Sequence, residues 1–310
     1  MTRGTRLAEA NMMAPRLAAG GLSRWTVVLA DYWTLTKPEV NFLILITTFA
    51  GFYLASPASH WRILLLFNTI VGTMLVASGT GTLNQYFERC FDSQMRRTAR
   101  RPLPAGRINP SRALWFGVVL SVAGGLYLAV LVNFLASLLA LLTLSTYLLL
   151  YTPLKRKTPL CTLVGALPGA APPLIGWAGA SGSLSAEAWV LYAILFLWQF
   201  PHFMAIAWMY REDYARAGYR TLPLGERQGR FMAWQTIVFS LALIPVSLGP
   251  ALLHRAGLVY FVGVFVLSSG FFYYAARLAF CRTNTTARRL LFASIVYLPL
   301  IFALMMCAKT

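Results

Sequence analysis

The chain has 310 residues, of which 58% are hydrophobic and 12% are charged. Soluble domains carry roughly 25% charged residues, so this composition excludes an ordinary soluble fold and points to one integral membrane domain. The formal net charge of +18 would indicate nucleic acid in a soluble protein, but a membrane gives it another cause, and no nucleic-acid partner is expected.

Residues 1–24, rich in Ala, Met and Arg, lack the apolar core and cleavage site of a secretory signal. They read as a flexible tail, and residues 25–310 as a single polytopic domain. Ser23 to Thr36 reads as an interfacial helix with Trp25, Tyr32 and Trp33 at headgroup depth. Long apolar runs with few charges then follow, each of a length that crosses a bilayer. They are Val40–Ser56, Ile63–Leu83, Ala113–Val132, Phe134–Tyr151, Cys161–Ala180, Ala188–Met209, Met232–Leu253, Leu258–Ala279 and Leu290–Met306. The fifth run carries Pro168, Pro172 and Pro173 among several glycines. Irregular backbone at membrane depth is tolerated only against packed protein or a cavity, so this run is either a tightly packed helix or a cavity wall.

Placing the N-terminus inside puts all but three of the 27 Lys and Arg residues on the inner side; the exceptions are Arg62, Arg255 and Lys309. Such a bias sets orientation, so the C-terminus is expected outside, and the basic face suits anionic lipid headgroups. The four cysteines form no CxxC pair and are expected as free thiols. Long polar loops follow the second and sixth runs. Each begins with acids, Glu88 and Asp92 in one and Glu212 and Asp213 in the other, which hints at two related four-helix halves plus a ninth helix.

The stretch NQYFERCFDSQMRRTARRP, Asn84 to Pro102, carries two of the nine acidic residues. Asn84, Glu88 and Asp92 are spaced four apart, so on a helix they share one face and climb roughly 12 Å along it. Three oxygen ligands suit Mg2+, which takes one or two carboxylates, water and substrate phosphate oxygens. Arg96, Arg97, Arg100 and Arg101 follow, and guanidinium forks bind phosphate bidentately. Acids and arginines together point to a metal-bridged diphosphate. The bland alternative is solvated pairing of Glu88 and Asp92 with Arg89, Arg96 and Arg97, worth only about 0–1 kcal/mol. In the second acidic loop Asp213 is a further candidate ligand, and Glu212–Asp213 as an ordinary helix-end pair is the alternative. Lys155 and Arg156, just past the fourth run, are expected near the phosphate pocket. His202, with Gln199 one turn before it, lies inside the sixth run. It makes either a helix–helix hydrogen bond, to Asn41 or Asn68, or contact with a bulky acceptor or its metal.

These motifs resemble the UbiA-type superfamily of intramembrane prenyltransferases, and within it the haem branch. The resemblance covers about residues 34–305. It rests on LTKPEVN from Leu35, NQYFERCFDSQMRRTARRPLPAGRI from Asn84, YTPLKRKT from Tyr151, PGAAPPLIGWA from Pro168, WQFPHF from Trp198 and REDYARAG from Arg211. It implies an all-α fold of nine transmembrane helices around a central cavity. It also implies an enzyme that moves a farnesyl group from farnesyl diphosphate to a vinyl group of haem b, with Mg2+ as cofactor. Asn84, Glu88, Asp92 and Asp213 become the catalytic and metal-holding residues. Arg96, Arg97, Arg101, Lys155 and Arg156 become the diphosphate ligands, and His202 and Gln199 contact the haem substrate. Ala217 stands where the wider superfamily often has a further acid. The resemblance places the protein in a bacterial inner membrane, with its site toward the cytoplasm, and implies association with a haem A synthase or a terminal oxidase. Two other functions fit the residues: prenyl transfer to a phenol or quinone precursor, and a transporter whose acids bind cations. The neighbouring arginines argue against the transporter, since they repel cations at its entrance.

Overall fold

The computed structural model describes residues 24–57, 62–221, 227–252 and 257–309; apart from Arg24, the N-terminal tail lies outside them. Among the described residues nine helices are long and apolar enough to cross a membrane. They are Pro38–Ala55, Ile63–Asp92, Pro110–Leu131, Phe134–Leu154, Cys161–Ser181, Ala186–Met209, Arg227–Pro250, Leu258–Cys281 and Asn284–Cys307, here called the first to ninth spans. They match the nine apolar runs one for one, and the chain is an integral membrane protein. The largest shift of a boundary is in the second span, whose helix continues past Leu83 to Asp92. The polar end is therefore part of the same rigid rod, and Asn84, Glu88 and Asp92 do share a helix face.

The expected interfacial segment is a helix, Arg24–Leu35, with Trp25 and Trp33 exposed. Arg107 pins it to the loop after the second span by pairing with Asp31 at 3.0 Å. Between this helix and the first span, Lys37 adopts a left-handed backbone (φ 54°) and Pro38 opens the next helix. That conformation costs a non-glycine residue about 1–2 kcal/mol. It turns the chain sharply and leaves the Lys37 side chain beside the end of the second span.

Consecutive spans pack side by side, and the first and ninth also touch. The fifth runs through the interior and is the most enclosed of the nine. It meets the first span backbone to backbone. A Cβ on Gly176 would lie 1.9 Å from the Thr48 carbonyl oxygen, and one on Gly51 would lie 2.1 Å from that of Pro173. Small residues are what allow membrane helices to approach this closely. A large apolar cluster joins the sixth to ninth spans through Ile194, Leu243, Val264 and Phe302. Large side chains such as Val130, Val259 and Phe280 stay exposed on the perimeter, where lipid takes the place of a core.

Two spans depart from a regular α-helix. The fifth breaks between Gly169 and Pro172, the second half starting at a proline that needs no N–H donor there. The fourth widens into a π-helical turn, Thr146–Tyr151, a distortion that often marks a functional site. Both irregularities face the same cavity.

Candidate functional site

The cavity has a volume of about 480 Å³ and draws its walls from the first, second, fourth, fifth, sixth and ninth spans and from the loops after the second and sixth. One end is polar, with Asn84, Glu88 and Asp92; deeper, the walls are Leu43, Ile44, Leu195, Trp198, Phe203 and Leu298. Gly165, Gly169 and Pro172 of the broken fifth span line it, so the irregular run is a cavity wall as well as a packing helix.

Asn84, Glu88 and Asp92 are almost wholly buried, at 1%, 5% and 1% exposure. Each presents an oxygen to a cationic nitrogen. Lys37 Nζ donates to Asn84 Oδ1 at 2.6 Å, Lys155 Nζ to Glu88 Oε1 at 2.7 Å, and Arg101 Nη1 to Asp92 Oδ2 at 2.8 Å. Solvated pairing with Arg89, Arg96 and Arg97 is not what forms; Arg89 turns back to the Tyr86 carbonyl instead. The partners come from the first span's entry, the fourth span's exit and the loop nine positions on. A buried ion pair roughly breaks even in stability, so this concentration of charge has no structural motive of its own.

Lys37 was not singled out by sequence reasoning, and neither were Tyr147, Tyr151 and Tyr219. Lys155 Nζ lies 4.5 Å from the Tyr151 ring centre and 5.9 Å from those of Tyr147 and Tyr219, an aromatic cage that steadies a cation. Tyr147 and Tyr151 both lie in the π-helical turn. Burial works against the Lys155 ammonium, but Glu88 together with Tyr151, Tyr147 and Tyr219 outweighs it and holds its pKa well above the ordinary lysine range. Among the described residues Lys37 has no carboxylate partner of its own, and burial, aided by nearby Arg101, brings its ammonium down to about 7. Arg97 lines the cavity with its guanidinium stacked 4.7 Å over Tyr210. Lys37 and Arg97 thus bring nitrogen donors to the cavity with no ion-paired carboxylate among the described residues, an arrangement able to receive an anion.

Asp213 sits in a short helix, Arg211–Arg216, directly after the sixth span. It is buried, accepts a hydrogen bond from the Arg97 backbone N–H at 3.3 Å and pairs with Arg216. The two acidic loops therefore meet, on the same side of the bundle, but Asp213 touches the loop behind Asp92 and is not part of the cavity wall. Arg96 is exposed. Arg156 stacks 4.3 Å over Phe91 and lines a separate groove between the second and fourth spans, whose walls also include Glu88 and Tyr219. Among the described residues no three of His, Cys, Asp or Glu gather as a metal cage. The oxygen row still fits Mg2+, because that ion binds through one or two carboxylates and takes its other ligands from water and phosphate. The positions where cationic nitrogens now meet Asn84, Glu88 and Asp92 are where its charge would act.

His202 and Gln199 both line the cavity. His202 makes neither of the expected bonds to Asn41 or Asn68. Asn41 donates to Ser78 and to the Thr36 carbonyl, and Asn68 accepts from Tyr127. The partner of His202 is Ser294 on the ninth span, Nδ1 to Oγ at 2.7 Å, and its ring stacks on Trp198 with centres 4.7 Å apart. Gln199 donates to the Ala166 carbonyl, bracing the fifth span, and to the Leu195 carbonyl of its own helix. The four cysteines are free thiols.

The family model described as the UbiA prenyltransferase family matches residues 44–296. A protoheme IX farnesyltransferase of Solibacter usitatus is 51% identical, over 90% of this chain and 98% of that protein. One of Koribacter versatilis is 42% identical, over 91% and 94%. Among solved structures, a digeranylgeranylglyceryl phosphate synthase superposes with TM-score 0.72 at 19% identity, over 90% of this chain and 98% of that one. A UbiA homologue from Archaeoglobus fulgidus bound to DMAPP and Mg2+ gives 0.63 at 15%, over 88% and 98%. These structural likenesses bear on the fold.

Proposed function

The chain belongs to the UbiA prenyltransferase family, and on that premise we propose that it transfers a farnesyl group from farnesyl diphosphate to a vinyl group of haem b, giving haem O and diphosphate. The allylic C–O bond breaks and the electron pair leaves with diphosphate. The vinyl terminus then forms a C–C bond to the farnesyl C1, and water adds to the resulting cation with loss of a proton. The observation that carries the reading is one cavity with an oxygen row capped by cations at one end and an apolar wall of aliphatic and aromatic side chains beyond it. The curated relatives named as protoheme IX farnesyltransferases cover nearly the whole chain and favour haem over a phenol or quinone precursor.

Asn84, Glu88 and Asp92 would hold Mg2+, with Asp213 placed behind them to steady the Arg97 loop or to reach a metal once the loop adjusts. The ion supplies Lewis-acid neutralisation of the departing diphosphate. Lys37, Arg97, Arg101 and Lys155 meet its remaining negative charge, which grows in the transition state. Arg96 and Arg156 lie farther out and act on the incoming diphosphate through the field at the mouth. Leu195, Trp198, Phe203 and Leu298 keep water from the allylic cation until it has been captured. His202 and Gln199 stand at the haem side. The reading places the enzyme in a bacterial inner membrane with its N-terminus and its diphosphate end cytoplasmic, near an oxidase or haem A synthase that takes up haem O.

The test is incubation of purified protein with haem b, farnesyl diphosphate and Mg2+, with haem O and diphosphate measured together. Equimolar release of both supports the reading. Diphosphate release only when a phenolic acceptor is supplied would replace haem by that acceptor.

A further inference from the structure

We propose that Ser294 is a positioning residue that fixes the tautomer of His202, so that Nε2 presents a lone pair to the cavity and binds the iron of the haem substrate. This rests on the reading of haem as acceptor. The Ser294 hydroxyl has one hydrogen, and its oxygen lies 2.6 Å from the Leu291 carbonyl, to which it donates. The same oxygen is 2.7 Å from His202 Nδ1. With its hydrogen committed, Ser294 accepts there, so Nδ1 carries the proton and Nε2 does not. Nε2 has no partner among the described residues, on a side chain that lines the cavity.

The surroundings hold the ring in place. Trp198 stacks on it and donates its indole N–H to the Ser294 carbonyl at 2.9 Å, so one residue of the ninth span holds both Trp198 and His202 of the sixth. Ser294 is fully buried, and Leu298, one turn further along the same helix, is itself a cavity wall. A histidine that binds a metal commonly gives its other N–H to an acceptor that sets tautomer and orientation. Here the acceptor is a neutral hydroxyl, which orients the ring and leaves it a neutral ligand.

The experiment is a haem b titration of the full-length protein in detergent, followed by absorption spectroscopy, with wild type, His202→Ala, Ser294→Ala and Ser294→Thr. Wild type is expected to give the Soret band of nitrogen-ligated iron, and His202→Ala to lose it. Ser294→Ala keeps the backbone carbonyl that holds Trp198, yet should bind haem about 10- to 100-fold more weakly, with a raised KM for haem and unchanged KM for farnesyl diphosphate. Ser294→Thr restores the hydroxyl and should recover the wild-type band. A Ser294→Ala protein with wild-type haem affinity and band overturns the proposal. So does equal loss in Ser294→Ala and Ser294→Thr, because the hydroxyl would then not be the agent. The titration needs no farnesyl diphosphate, so its outcome is independent of whether wild type makes haem O.

Discussion

The two acidic clusters look alike in sequence and differ in the fold. Asn84, Glu88 and Asp92 stand on the last turns of a long rigid helix, point into the cavity and each meet a cation brought from another segment. Glu212 and Asp213 sit on a six-residue helix after the sixth span, and Asp213 spends its carboxylate on a local arginine and on the backbone of the opposite loop. Acids on a continuing helix are held at a fixed depth and bearing, whereas acids beyond a helix end go where the loop goes. In the proposed reading the first cluster holds the ligand and the second braces the first cluster's loop.

The sharpest way to break that contrast is to remove one oxygen from each. Asp92→Ala should lower haem O formation about 100- to 1000-fold, the range seen when a preorganised electrostatic contact to the transition state is removed. Chelation of Mg2+ should do the same to wild type and nothing further to the variant. Turnover within tenfold of wild type would remove Asp92 from the metal site. Lys37→Met should come next, raising the KM for farnesyl diphosphate on the order of 10- to 100-fold if its charge-assisted contact to the anion is worth about 1.5–3 kcal/mol. An unchanged KM would leave Lys37 only as the partner of Asn84. Asp213→Asn keeps the acceptor for the Arg97 N–H while losing charge, and about a tenfold fall in kcat with a smaller change in KM is expected. A loss as deep as that of Asp92→Ala would make Asp213 a direct metal ligand and abolish the distinction drawn here.

Smaller effects sharpen the comparison from its edges. Arg156→Ala, in the groove outside the cavity, should change kcat/KM by no more than a few-fold, and Arg96→Ala by less than twofold, both measured with saturating haem. A separate readout concerns stability. Lys155→Met leaves Glu88 buried without its partner, which costs about 3–5 kcal/mol when a buried pair is broken. Thermal unfolding in detergent should fall accordingly, and Lys155→Met with Glu88→Gln together should recover much of the loss.

Much of this was open to reading in the letters, for stated reasons. Nine spans follow from apolar length, since lipid imposes that length on any helix that crosses it. The shared face of Asn84, Glu88 and Asp92 follows from helical period alone. The fifth span's prolines announced irregular backbone, and that span breaks at Gly169 to Pro172. Lys37 carried a faint signal, a lysine fixed before a proline at the start of a span, but nothing local ties it to a residue 47 positions on, Asn84. Tyr147 and Tyr151, four apart, could share a helix face, but nothing local showed that Lys155 would fold back between them and Tyr219, which comes from the loop after the sixth span. Arg96 and Arg156 looked equivalent to Arg101 and Lys155 because charge and proximity in sequence do not say which side of a turn faces inward.

From composition and periodicity the chain settles its solvent, its number of crossings and the helix face on which Asn84, Glu88 and Asp92 stand, because these depend on residues within a few turns of each other. Which cation meets which oxygen, which acidic loop enters the cavity and which hydroxyl holds His202 depend on contacts between spans far apart in sequence. Those contacts arise only once the spans have packed, as the first and fifth do at Gly51 and Gly176, and no local pattern carries that information.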